Sequence, residues 1–189
     1  MSKEVIWRQK KINELLMLSE SIVNADFDKL IALGKSVVEA LNKGNKIAFF
    51  GNGGSAAESM HLAAEFVSKC SVDHRPLNAI SLNESQSAVT AIANDYGFEF
   101  VFERIVEAEL KSGDILIALS TSGKSKNVIK AICKALEIGV TVHLWTGSNQ
   151  LEIEGVNIWY CALSSTPRIQ EIHLVWGHLL AEYVERHFI

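Results

Sequence analysis

The sequence predicts an α/β protein, a three-layer αβα sandwich built on a five-stranded parallel sheet of flavodoxin-like type and preceded by an N-terminal helical arm. Three observations carry this. From Gly44 onward, short β-type runs alternate with helical segments to the end of the chain. Those runs are continuously apolar rather than alternating, as expected of strands covered on both faces. No Pro/Gly/Ser-rich linker, low-complexity tract or repeat divides the chain, so 1–189 reads as one domain, with helices over 1–43 and the α/β core over 44–189.

Residues 3–24 and 27–43 read as two amphipathic helices, with Ile12, Leu15, Leu16, Ser19 and Ile22 tracing one stripe. The strand candidates follow as "KIAFF", "NAISL", "DILIALS", "VTVHLW" and "VNIWYCAL". A last helix begins at "TPRIQE", with Thr166 as N-cap and Pro167 at its first position. On it Ile169, Ile172, Trp176, Leu179 and Tyr183 make one apolar stripe, and Leu174, Gly177 and Ala181 a second, so the helix reads as largely buried.

Bulk properties narrow the partners. With 48% apolar and 21% charged residues the chain is of globular composition. A formal charge of −4 leaves no electrostatic footprint for nucleic acid, and small solutes or other proteins are the expected partners. Cys70, Cys133 and Cys161 are odd in number and lack a C-x-x-C pair, which points to a reducing cytoplasm rather than a disulfide framework. No apolar run reaches the roughly 18 residues of a membrane helix, and the charged N-terminal stretch is unlike a signal peptide. The expectation is a soluble cytoplasmic protein.

In doubly wound sheets ligands bind beyond the carboxyl ends of the strands, where two loops stand out. The first, "GNGGSAAES", places Gly51, Gly53 and Gly54 ahead of a helix whose free N–H groups attract anions. Its glycines also fit a dinucleotide fingerprint, but the acidic residue required about 20 positions later is lacking; Asn83 and Glu84 follow the second strand. The second loop, "LSTSGKS", carries hydroxyls at Ser120, Thr121, Ser122 and Ser125, with Ser125 at the N-cap of the next helix. A plain cap needs one hydroxyl, so the excess favours anion binding. Walker spacing is absent, and two such loops suit a monophosphate with a polar tail.

His61 and Glu65 are four apart and share a helix face, bordered by a core stripe of Met60, Ala64 and Val67. On its own such a pair is more often a surface ion pair. Gln170 and His178 fall on the second face of the last helix, where an unsatisfied polar group costs about 1–3 kcal/mol. They read as a cleft wall or ligand set, with Glu171 an equally placed rival; His173 and His187 show no such alignment.

These stretches, together with "AIANDYGFEFVFERIVEAEL", resemble the sedoheptulose-7-phosphate isomerases (phosphoheptose isomerases) of the sugar-isomerase (SIS) domain superfamily, from about Gly44 onward and in the family's order. The resemblance implies conversion of D-sedoheptulose 7-phosphate to D-glycero-D-manno-heptose 7-phosphate, a precursor of ADP-heptose and surface polysaccharide. It implies that Asn52, Gly53, Gly54, Ser55, Asn94 and Asp95 touch substrate, and that Ser120, Thr121, Ser122 and Ser125 hold its phosphate. It implies one zinc per subunit on His61, Glu65, Gln170 and His178, with Glu65 and Gln170 also meeting substrate. Glu65 would be the base that moves the proton and His178 the opposing acid/base. It further implies a homotetramer with sites between subunits. The alternative is a non-catalytic SIS module that binds a sugar phosphate or a partner protein. Departures from the family are Lys124 and Lys126 for Asn and Pro, Ala93 for Gly, Ser164 and Ser165 for acidic residues, and a shortened glycine-rich segment after Asn149.

Overall fold

A computed structural model describes residues 2–147 and 151–189, so the shortened segment begins outside the described residues. The chain opens with α1 (Lys3–Val23), capped by the Ser2 hydroxyl on the Val5 N–H, and α2 (Phe27–Asn42), capped by the Asp26 carboxylate on the Lys29 N–H at 2.9 Å. The core then runs β1 (Ile47–Gly51), α3 (Gly54–Val67), β2 (Ala79–Ser81), α4 (Gln86–Asp95), a single 3₁₀ turn (Phe98–Phe100), α5 (Val101–Glu109), β3 (Ile115–Leu119), α6 (Lys126–Glu137), β4 (Thr141–Thr146), β5 (Val156–Tyr160) and α7 (Thr166–Glu185). All five predicted strands form. The last is shorter than its apolar run, and α7 is capped by Ser165 rather than Thr166, so Pro167 takes the second helical position.

The strands pair in parallel in the order β2-β1-β3-β4-β5. Side chains alternate across the pleat, giving each face its own core. Ile47, Phe49, Ile115, Ile117, Leu119, Trp145 and Trp159 pack against α2, α3 and α7. Ala48, Phe50, Leu116, Ala118, Val142 and Leu144 pack against α5 and α6, where Phe50 meets Phe102 edge-on at 4.8 Å. That is the expected three-layer sandwich.

At the amino ends of the strands the fully buried Asp114 accepts from Asn45 Nδ2 and from the backbone N–H groups of Lys46 and Lys111, tying β1 to β3. At the carboxyl ends Gly51 stands opposite Leu119, so the two ligand-type loops leave the sheet side by side. The chain turns from β1 to β2 on one side and to β3 on the other, the arrangement that opens a crevice between β1 and β3.

α1 buries none of its residues, and Ile12, Leu15 and Leu16 of its apolar stripe are exposed on the single chain. One sequence expectation is corrected: on α3 the core stripe is Leu62, Ala63 and Phe66, whereas Met60, Ala64 and Val67 face outward. The helix is apolar on two sides, and periodicity cannot choose between them.

Candidate active site

The loop after β1 and the loop after β3 meet over a cavity of about 170 Å³ lined by Asn52, Gly54, Ser55, Leu119, Ser120, Thr121, Ser122, Ser125, Thr166 and Gln170. It is smaller than the 300–1,000 Å³ typical of drug-sized ligands and suits a compact anion. Three helices begin at its rim: α3 at Gly54, α6 after Ser125 and α7 at Thr166. Their free N–H groups and positive dipole ends all favour negative charge there. Lys124 and Lys126 are exposed and do not line the cavity.

Polar pairing holds the rim in shape. Asn52 and Asn127 exchange two amide hydrogen bonds of 2.9 Å, joining the first loop to the start of α6. Asn83 accepts from the Gly51 N–H and donates to the Gly51 carbonyl, with Ser59 donating to it from α3. Ser120 Oγ accepts from the Gly123 N–H. Ser125 caps α6 by position but makes no side-chain cap bond, leaving its hydroxyl for the cavity it lines. Glu84 accepts from the Ser81 N–H within its own turn, so no acid stands ready for a ribose, and the dinucleotide reading fails.

From this cavity a seam runs between α3 and α7. A Cβ on Gly54 would stand 2.1 Å from Gln170 Nε2, so the absent side chain is what admits the amide to the rim. Two turns further along α7, and about 12 Å at 1.5 Å per residue, His178 Nε2 lies 2.8 Å from His61 Nε2, their rings nearly perpendicular. Glu65 Oε1 is 3.5 Å from His61 Nε2, and the ligand atoms of His61, Glu65 and His178 all fall within 4.8 Å of one another. Two imidazoles and a carboxylate so gathered are a donor set of the kind zinc takes in catalytic sites. Gln170 shares the seam but has its amide at Gly54. The rival Glu171 is committed to Arg168 at 2.6 Å.

Not every expected residue arrives. Gly53 is exposed beside the cavity, at the N-cap of α3. Asn94 and Asp95 end α4 on the surface, where Asn94 Nδ2 donates to Asp95 Oδ1 at 2.7 Å, and neither lines the cavity. Other residues went unnoticed in the sequence. Glu58 is buried on α3, one turn from His61, with neither oxygen in a hydrogen bond of good geometry. Burial pushes its carboxyl up to about 7, against an opposing effect of the Ser55 hydroxyl. Its place inside "SAAES" was the one available signal. Asn127 and Asn83 had none, because their partners are far away in sequence.

Comparison with known proteins gives the family. The SIS domain family model matches residues 12–147. The chain is 43% identical over 159 residues to the phosphoheptose isomerase of Aquifex aeolicus, covering 83% of each chain, and 42% identical over 165 residues to that of Clostridium acetobutylicum, covering 84% and 82%. The chain belongs to the phosphoheptose isomerase family. It superposes on the solved phosphoheptose isomerase of Neisseria gonorrhoeae with a TM-score of 0.85 at 29% identity, over 98% of this chain and 100% of that one. As a family member it is an enzyme, an isomerase with the SIS fold, and the flavodoxin-like sandwich expected from the strand pattern is the fold it shares with these proteins. Among the described residues no helix is long and apolar enough to cross a membrane.

Proposed function

We propose that the chain interconverts D-sedoheptulose 7-phosphate and D-glycero-D-manno-heptose 7-phosphate by proton transfer through an enediol, in the cytoplasm, as a step toward ADP-heptose and surface polysaccharide. The observation that carries this is the two-ended seam: an anion cavity with three helix N-termini at one end, and His61, Glu65 and His178 at the other, His178 lying two turns along α7 from Gln170. An open-chain ketose with its carbonyl near one end and its phosphate at the other has the matching polarity. Ser120, Thr121, Ser122 and Ser125 with the α6 N-terminus hold the phosphate, and Asn52, Gly54, Ser55 and Gln170 line the path of the chain, with Gly53 at its edge.

Glu65 removes a proton from carbon 1 of the ketose and returns it to carbon 2, while the electron pair of the C–H bond forms the enediol double bond. His178 moves the proton between the two oxygens. His61, Glu65 and His178 would hold a zinc ion, whereas Gln170 has its amide at Gly54, toward the other end of the seam. Bound there, zinc polarises the carbonyl and enediol oxygens as a Lewis acid. Glu65 has two carboxylate oxygens, so one could hold a metal while the other moved the proton.

A homotetramer with sites between subunits is the assembly we propose. The exposed apolar residues Trp7, Leu15 and Leu16 on α1, and Met60 and Val67 beside His61, support it, because a monomer rarely leaves such groups in water. A neighbouring copy would then supply Asn94 and Asp95. The test is turnover in deuterium oxide with zinc-loaded protein: deuterium is expected at carbon 2 of the aldose. Folded protein that leaves sedoheptulose 7-phosphate unchanged would refute the assignment.

A further inference from the structure

β1 runs further than the strand beside it. Its pairing with β2 ends at Phe49 and Ser81, yet β1 continues to Gly51, which pairs with Leu119 of β3 on its other side. On the β2 side Gly51 therefore has an N–H and a carbonyl with no strand to meet, inside a protein, where such groups are almost always paired. The Asn83 side chain takes the place of the missing strand residue. Its Oδ1 accepts from the Gly51 N–H at 3.1 Å and its Nδ2 donates to the Gly51 carbonyl at 3.0 Å, and Asn83 is itself buried. An N–H only donates and a carbonyl only accepts, so these two partners fix which way the amide faces.

The amide is tied to the site from there. A Cβ on Gly51 would stand 2.6 Å from Ser55 Cβ and 2.7 Å from the Leu119 carbonyl oxygen, so Gly51 is wedged between β3 and the first turn of α3. Ser55 and Asn52, the residue after Gly51, both line the anion cavity. Asn83 Oδ1 also lies 3.0 Å from Ser59 Oγ on α3, and Ser59 Oγ stands 2.8 Å from Ser81 Oγ at the end of β2. From a side chain that completes the ladder where β1 hands over to the glycine loop, we infer that Asn83 is a positioning residue of the isomerase. It fixes the exit of β1, and through Gly51 and Ser59 it sets the loop, and α3 with His61 and Glu65, against the sheet. Asn83 does not line the cavity and acts only through these neighbours.

The kinetic part rests on the proposed isomerisation, so one measurement is chosen that needs no turnover. By hydrogen exchange in the free protein, Asn83→Ala speeds the Gly51 N–H at least about tenfold while the Phe49 N–H on the same strand keeps its rate, the mark of a local opening. In Asn83→Asp the Gly51 N–H stays protected, because the carboxylate still accepts from it. Gly51 and Phe49 moving together, or Gly51 unmoved in the alanine variant, overturns the inference. With substrate, Asn83→Ala lowers kcat about tenfold and raises KM at least about threefold, and Asn83→Asp lowers kcat about threefold, since it has no proton for the Gly51 carbonyl. The aspartate variant keeps the size of the side chain and carries the test if the alanine variant does not fold. A kcat and KM within about twofold of the unaltered enzyme in the folded variants overturns the inference. Absence of turnover in the unaltered enzyme refutes the heptose assignment instead, and the exchange of Gly51 still decides whether Asn83 fixes the exit of β1.

Discussion

The seam between α3 and α7 closes on Gly177 as well as on Gly54, and adding a side chain at Gly177 tests the geometry of the site. A Cβ on Gly177 would stand 2.2 Å from Leu62 Cδ2 and 2.7 Å from Leu62 Cδ1. Leu62 is fully buried and has no solvent to swing into. Ordinary contact begins near 3.4 Å, so Gly177→Ala forces the helices apart by about 1.2 Å. Overpacking of this kind costs about 1–3 kcal/mol. Alanine regains about 1 kcal/mol of helix propensity. The net loss is about 1 kcal/mol, or about 3 °C in Tm for a chain of this size. The effect on chemistry is much larger, because His61 and Glu65 ride on α3 and His178 on α7, and a displacement of about 1 Å costs about 100-fold in rate. The expected signature is therefore a small fall in Tm by calorimetry with a fall in kcat of about 100-fold. Adding Leu62→Ala removes the clashing methyls and should recover part of the rate while lowering Tm further. Gly177→Ala with unchanged Tm and a rate within about twofold of normal would show that Leu62 yields and that the seam does not set the catalytic spacing.

Ser125→Ala should raise KM about tenfold, the loss of one hydrogen bond to a charged phosphate, yet leave Tm unchanged because the hydroxyl caps nothing in the free protein. Asp114→Ala removes a fully buried carboxylate that three donors share and should cost about 3 kcal/mol in urea denaturation, with kcat unaffected in the folded fraction. Burial holds His143 near 4 and His173 near 3, against 6.5 in the unfolded chain. The unfolded state therefore binds more protons below 6.5, and each histidine takes away about 2 kcal/mol of stability as pH falls from 7 to 5. His173→Phe should remove about half of that slope in denaturation curves measured across this range; an unchanged slope would refute the assignment.

Sheet and loops were legible because their signals are local. A continuous apolar run bounded by Gly or Asp marks a doubly covered strand wherever it occurs, and "STSGKS" carries more hydroxyls than a helix cap can use. What escaped was set by contacts distant in sequence. Asn127 matters because it meets Asn52, and the loop at Cys70 is held by Glu185, 115 residues away. The stripe misassigned on α3 has a different cause. Met60, Ala64 and Val67 face outward, and in the proposed assembly they would meet a second copy, whereas a periodicity argument assumes that every apolar face turns inward. His61 sits beside that outward face with nearly half of its side chain exposed, although a site that moves protons on carbon must exclude water. That surface is where the proposed assembly would cover the site, and α1 also carries exposed apolar residues. If a second copy closes the site, dilution below the assembly threshold should abolish turnover before it unfolds the chain. Activity that stays proportional to protein concentration through dissociation, measured by light scattering alongside the assay, would mean that one chain is sufficient.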